Sequence, residues 1–179
     1  DVLEHPEEAG AIEAYQQRAR LAEDRLAEVL AASRKFKLEN EGYRDRMRAR
    51  MAEVFRSDYP LREVLQRVYA IALDMYLSGK DGPRGCFTVM TAASEAVLDP
   101  GIRELVTTGF ADTDRFFGRI FSRAQERGEL PPSADPQVLA HLASATLHSL
   151  AVRARAQAPR AELDAIVRGA LDVICGKAK

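Results

Sequence analysis

The sequence has no tryptophan and only two cysteines among its 179 residues. Cysteines as far apart as Cys86 and Cys175 make no disulfide framework, so free thiols in a reducing cytosol are expected. Long apolar runs are also missing. Every hydrophobic stretch is short and broken by charge, which excludes a bilayer-spanning helix. There is no signal-peptide pattern and no initial methionine, so the chain reads as a cytoplasmic fragment whose true start is missing. Runs of β-branched residues are few, which argues against an all-β fold. An excess of one charge is absent too: 26 Lys and Arg stand against 27 Asp and Glu, for a net charge of -1. No global positive field therefore draws the molecule onto nucleic acid, and any DNA contact has to be local.

Hydrophobic residues make up 46% and charged residues 30%, the balance of an ordinary globular protein. Its richness in Ala, Leu, Glu, Lys and Arg favours helices. The length allows one compact domain, or one domain with a small appended unit. From Pro6 to Phe36 the chain is charged and helical in composition, with a moderately apolar face at Leu21, Leu26, Val29, Leu30 and Ala32. Gly42 to Arg56 predicts a helix with Tyr43, Met47, Met51, Val54 and Phe55 on its inner side. Ser57-Asp58-Tyr59-Pro60 reads as a helix start, because Ser or Asp can cap exposed amides and proline suits the first turn. The helix that follows runs to about Leu77. Gly79 to Pro83 is a breaker cluster, hence a loop, and Cys86 to Leu98 forms a further helix.

Ile102 to Ala124 carries the strongest periodicity, with apolar or small residues at 102, 105, 106, 109, 110, 113, 116, 117, 120, 121 and 124. Gly128 and Pro131-Pro132 end it, as a glycine stop followed by proline does. Two more helices are expected, from Pro136 to about Gln157 and from Arg160 to about Cys175. There is no internal repeat and no low-complexity segment. The fold class is therefore all-α.

Catalytic signatures are absent. There is no Gly-x-Ser-x-Gly elbow, no phosphate-cradling loop and no metal-spaced His/Glu helix, so neither an enzyme nor a cofactor is expected. His141 and His148 lie seven residues apart, about 10.5 Å along a helix axis, which is too far to share one metal ion. Cys86 reads as core packing. Arg44, Arg46, Arg48 and Arg50 alternate every second residue, which spreads charge around a helix and predicts a solvated surface. Phe110, Phe116, Phe117 and Phe121 crowd one helix, near Phe87 and Met90 on the helix before it. That crowding suits an ordinary core, and it also suits a pocket wall for an apolar or aromatic molecule.

The ordered series Gly85-Cys-Phe-Thr-Val-Met-Thr-Ala-Ala-Ser-Glu-Ala, Asp99-Pro-Gly-Ile-Arg-Glu-Leu-Val, Arg123-Ala-Gln-Glu-Arg-Gly-Glu-Leu-Pro and Ala134-Asp-Pro resembles the effector-binding and dimerisation region of the TetR family of bacterial transcription regulators. The resemblance extends to about Ile174 and covers roughly half the chain. It implies a TetR-like helical bundle: a ligand-binding and dimerisation domain over residues 37–179, preceded at 1–36 by a partial DNA-binding head. Asp24 to Phe36 looks like the first helix of that head, and Lys37 to Met47 looks like the start of the family's fourth helix. The helix-turn-helix between them, roughly 30 residues in such modules, is missing. Either those residues exist in the protein between Phe36 and Lys37, or the protein lacks them. The first reading is preferred because both flanks look native and the join does not. A helix running through the join would hold Gly42 in its interior at about 1 kcal/mol.

The resemblance implies an operator-binding homodimer switched by a small molecule, with the inducer pocket among the family's fifth to eighth helices. The residues expected to line it are Met51, Tyr69, Leu73, Phe87, Met90, Phe110, Asp114, Phe117 and Thr146, with Asp114 as a polar handle that also suits exposed surface charge. Dimerisation is expected through the last two helices, at Leu139, Leu142, Thr146 and Leu150 of one and Leu163, Ile166, Val167, Ala170 and Ile174 of the other. Arg34, Lys35 and Lys37 are candidates for DNA phosphate contacts, which position a protein without reading bases. The rival from a different class is a helical dimer that binds a small molecule or a protein and never touches DNA.

Overall fold

The structure is a computed structural model that describes residues 14–21, 23–25, 27, 49–79, 82–94, 96–97 and 100–177. The chain divides into two compact units, Asp1–Arg48 and Ala49–Lys179. In the first, the described residues are helical and exposed, and Arg18 Nε donates to the Ala14 carbonyl one turn back, at 3.2 Å. The second contains α1 (49–56), α2 (Leu61–Leu77), α3 (Phe87–Ser94), α4 (Pro100–Glu126), α5 (Pro136–Arg155) and α6 (Arg160–Cys175). No strand occurs among the described residues, whose regular structure is all α-helical.

Helix α2 is the axis of the second unit. It buries Leu61, Val64, Leu65, Val68, Tyr69, Ile71, Ala72, Leu73 and Tyr76, residues that occupy more than one side of the helix. It can do so because α4, α5 and α6 all pack against it. A helix apolar on several sides needs neighbours on each of them. Helices α4 and α5 form the most extensive pair. Phe117, Ile120, Phe121 and Ala124 from α4 and Ala140, Ala143, Leu150, Ala151 and Ala154 from α5 are all buried.

The ends of the helices follow local chemistry. At the end of α4, Gly128 has φ 73°, its amide donates to Gln125 O at 3.0 Å, and Glu129 N reaches Ala124 O at 2.9 Å. This pair of bonds is the Schellman closure that a left-handed glycine permits. At the start of α5, Asp135 accepts from Gln137 N at 2.8 Å and Val138 N at 3.4 Å, and Pro136 occupies the first turn. Its carboxylate thereby satisfies amides that have no helical partner. Gly85, with φ +65°, donates to Tyr76 O at 3.0 Å and runs the chain directly across α5. A Cβ there would sit 2.9 Å from Ala151 O.

The start of α2 departs from the expectation. Pro60 is the N-cap and no side chain from residues 57–60 caps the helix. Ser57 Oγ instead donates backward to Val54 O at 2.5 Å, and the Asp58 carboxylate, 95% exposed, faces Arg123. The first amide, Leu61 N, donates to Glu129 Oε2 at 2.5 Å, so the cap comes from a loop that only the tertiary fold brings near. The boundaries differ modestly elsewhere. Helix α3 is described only to Ser94, α4 reaches from Pro100 to Glu126, and α5 ends at Arg155 where the chain turns through Gln157 at φ 62°. The C-terminal end of α6 is held by Arg62, which donates to Gly176 O at 2.9 Å and Leu171 O at 3.3 Å and pairs with Asp172.

Candidate functional site

The phenylalanines of α4 form a continuous aromatic column. Phe117 lies 6.1 Å from Tyr69, 5.6 Å from Phe116 and 6.5 Å from Phe121, and Phe116 reaches Phe55 of α1 at 6.4 Å. Tyr69 OH donates to Ala143 O at 3.2 Å, and burial raises its phenol pKa well above the ordinary value. Tyr69, Leu73 and Phe117 are therefore packed core residues, at 0 to 1% exposure.

The other expected pocket residues sit where α3, α4 and α5 meet, or on the surface. The Phe110 ring lies 4.7 Å from the His148 ring, Asp114 faces His141 Nε2 at 3.7 Å, and Thr146 Oγ1 donates to Leu142 O at 3.0 Å. Burial lowers the His148 pKa, and the Asp114 carboxylate opposes that shift. Met51 and Met90 are half-buried, and Phe87 is exposed. The nine residues thus fall into a sealed aromatic core, a half-buried polar seam between α4 and α5, and outlying positions.

A second polar assembly surrounds the turn between α1 and α2. Arg123 Nη1 donates to Phe55 O at 2.5 Å, and its Nη2 meets Asp58 Oδ1 at 3.2 Å. Arg127 donates to Tyr59 O at 3.2 Å and pairs with Glu129 at 2.9 Å, while Glu129 caps α2. The end of α4 therefore grips both sides of the turn. Within the grip lies a cavity of about 20 Å³ bordered by Phe55, Leu61, Ile120 and Arg123, about the space of one water molecule. Sequence reasoning missed this clamp, because its partners are 65 to 69 positions apart.

A larger groove of about 470 Å³ lies between α1 and α2, lined by Arg50, Glu53, Val54, Arg56, Tyr59, Arg67 and Ile71 among others. None of the nine expected pocket residues borders either cavity. Arg50, read from sequence as a solvated residue, lies 3.7 Å from Asp74.

The expected dimer residues divide. Leu150, Leu163, Val167 and Ile174 are buried inside the subunit. In the single chain α5 and α6 turn these residues inward, toward α2 and each other. Leu139, Thr146, Ile166 and Ala170 are half-buried, and Leu142 is 41% exposed. The outward apolar residues are Val138 (62%), Leu142 and Val152 (49%) on α5 and Val173 (75%) on α6. Val138 and Leu142 lie about one turn apart on α5, outside the face that a single-face reading of the helix picks out.

Arg34, Lys35, Lys37 and the Phe36-Lys37 join lie outside the described residues. Among the described residues no three His, Cys, Asp or Glu side chains gather in a metal-binding group. No helix among them is long and apolar enough to cross a membrane. Cys86 and Cys175 are free and half-buried.

A family model described as "Tetracyclin repressor-like, C-terminal domain" matches residues 61–170, which spans α2 to most of α6. Two solved structures resemble the chain, both of cysteine mutants of the TetR family transcriptional regulator CifR complexed with 26-bp double-strand operator DNA. One has a TM-score of 0.65 at 25% identity, covering 77% of this chain and 70% of its own. The other has a TM-score of 0.62 at 24% identity, covering 76% and 68%. No curated protein matches the chain.

Proposed function

The chain belongs to the tetracyclin repressor-like family through its C-terminal domain, and on that footing we propose that it is a ligand-responsive transcription regulator, a repressor that binds operator DNA as a homodimer. The observation that carries this reading is the family match over the helical body, together with two structurally similar regulators bound to operator DNA. A cytoplasmic location goes with that role.

The effector is a small apolar or aromatic molecule that enters where α3, α4 and α5 converge. Phe87, Met90 and Phe110 offer apolar contacts there, Asp114 and Thr146 offer polar ones, and Tyr69, Leu73 and Phe117 form the wall behind. Met51 sits on α1, the helix that serves as the lever toward the DNA-binding head. The turn at the end of α1 is gripped by Arg123 and Arg127, so a displacement of α4 by ligand is transmitted to α1. Release of DNA requires only that the ligand prefer one arrangement over the other, typically by about 1 to 3 kcal/mol.

Dimerisation uses the outer faces of α5 and α6, with Val138, Leu142, Val152, Val173 and the half-buried Ile166 meeting their twofold mates. Burial of Val138, Leu142, Val152 and Val173, all exposed in the single chain, would contribute to such an interface.

The test is selection of bound sequences from a random duplex library with the purified protein, alongside light scattering. Enrichment of a palindromic site by a species of twice the chain mass is expected. An intact dimer that enriches nothing overturns the regulator reading in favour of a helical ligand- or protein-binding dimer that does not touch DNA.

A further inference from the structure

We infer that the groove between α1 and α2 is a second ligand site, distinct from the α3–α4–α5 effector site, and that it takes a flat organic carboxylate. Its volume of about 470 Å³ lies within the range of small-molecule sites. The floor is apolar, formed by Val54 and Ile71, which are both buried. The walls carry three guanidinium groups, Arg50, Arg56 and Arg67, against one lining carboxylate, Glu53.

The three arginines are not equally occupied. Arg67 is fixed by Glu63 at 2.7 and 3.0 Å and lies over the Tyr59 ring, 4.1 Å from its centroid. Arg50 approaches Asp74 at 3.7 Å, but Asp74 also faces Arg160 at 3.6 Å, so one carboxylate is divided between two cations. Arg56 donates through Nε to Ala52 O at 3.2 Å and has no carboxylate partner among the described residues. A guanidinium with free donors matches a carboxylate in plane and in charge. The planar Arg67–Tyr59 stack and the apolar floor of the groove suit a flat hydrocarbon body. A cation has nothing comparable to bind, because Glu53 is outnumbered by the arginines around it. A ligand seated here touches both α1 and α2, and so restrains the lever helix.

The experiment titrates the whole protein with 2-naphthoate by calorimetry, with neutral 2-naphthalenemethanol as the uncharged control. Saturable binding of one 2-naphthoate per chain is expected, at least tenfold tighter than the alcohol. It should weaken at least tenfold in Arg56→Gln and stay unchanged in Phe110→Ala, which alters only the effector site. Circular dichroism of each variant establishes that it is folded. Equal affinity for acid and alcohol, no saturable binding, or full binding by folded Arg56→Gln would overturn the inference. Loss of binding in Phe110→Ala with Arg56→Gln unaffected would assign the naphthoate to the effector site and likewise overturn it. Neither result bears on operator binding, which is read separately.

Discussion

Arg123 donates to the backbone carbonyl of Phe55 at 2.5 Å, joining the last turn of α1 to a helix 68 positions further along the chain. The same guanidinium meets Asp58 at 3.2 Å, so one side chain serves both the end of one helix and the turn into the next. Its side chain is about one-third exposed, and water moderates the strength of both bonds.

Replacing Arg123 with Ala is expected to lower stability by about 1 to 2 kcal/mol, the scale of a charged hydrogen bond discounted for exposure. It should also uncouple effector binding from DNA release. Urea unfolding measures the first effect and operator release against effector concentration the second. A variant with wild-type values of both would refute the role given to the clamp.

Phe117 touches Tyr69, Phe116 and Phe121 and is fully buried. Phe117→Ala should therefore cost about 3 to 5 kcal/mol, from lost burial and a residual cavity. If the variant folds, it should remain dimeric and lose its response to effector. An unimpaired response in both Phe117→Ala and Phe110→Ala would show that the effector binds elsewhere.

Val173 projects from α6 at 75% exposure, whereas Leu150 is sealed within the subunit. A charge at the first site should leave the fold intact and halve the mass seen in light scattering for Val173→Glu. A charge at the second should unfold the protein in Leu150→Glu, because a lone buried carboxylate is severely destabilising. A stable Val173→Glu dimer would exclude this face of α6 from the interface.

His148 has a pKa below the ordinary value of 6.5, owing first to burial, with the nearby Asp114 carboxylate acting in the opposite sense. Below pH 6.5 the unfolded chain then takes up the proton more readily than the folded one. Its contribution to stability is present above 6.5 and declines as the pH falls through the lower folded value. Denaturant midpoints measured from pH 7.5 to 5 should fall less in His148→Gln than in the parent. Parallel curves would mean that burial at His148 does not govern its titration.

Elements with local causes were legible before the structure. The Gly128 stop, the Asp135-Pro136 start and the aromatic crowding on α4 each depend on neighbours within a few residues or on helical periodicity. The resemblance carried the family and the order of helices. The clamp at Arg123 and the cap on Leu61 from Glu129 were not legible, because they depend on pairs that only packing brings together. Periodicity did not separate the inward Leu150 from the outward Val173 for a related reason. Both α5 and α6 are apolar on two faces, and periodicity alone does not say which face α2 covers. The expected Asp58 cap is not formed because the helix starts at Leu61 with Pro60 as its N-cap, and the Asp58 carboxylate faces Arg123.

Gly85 crosses α5 so closely that a single added carbon would strike the Ala151 carbonyl. Over evolutionary time this joins two sites: descendants of this chain can change residue 85 only if the backbone of α5 retreats. Gly82 has no atom within 4 Å of an added Cβ, and its chief constraint is its own backbone angle of φ 110°. In a lineage comparison, position 85 should accordingly be the slower of the two to change, and its rare substitutions should travel with rearrangements around Ala151.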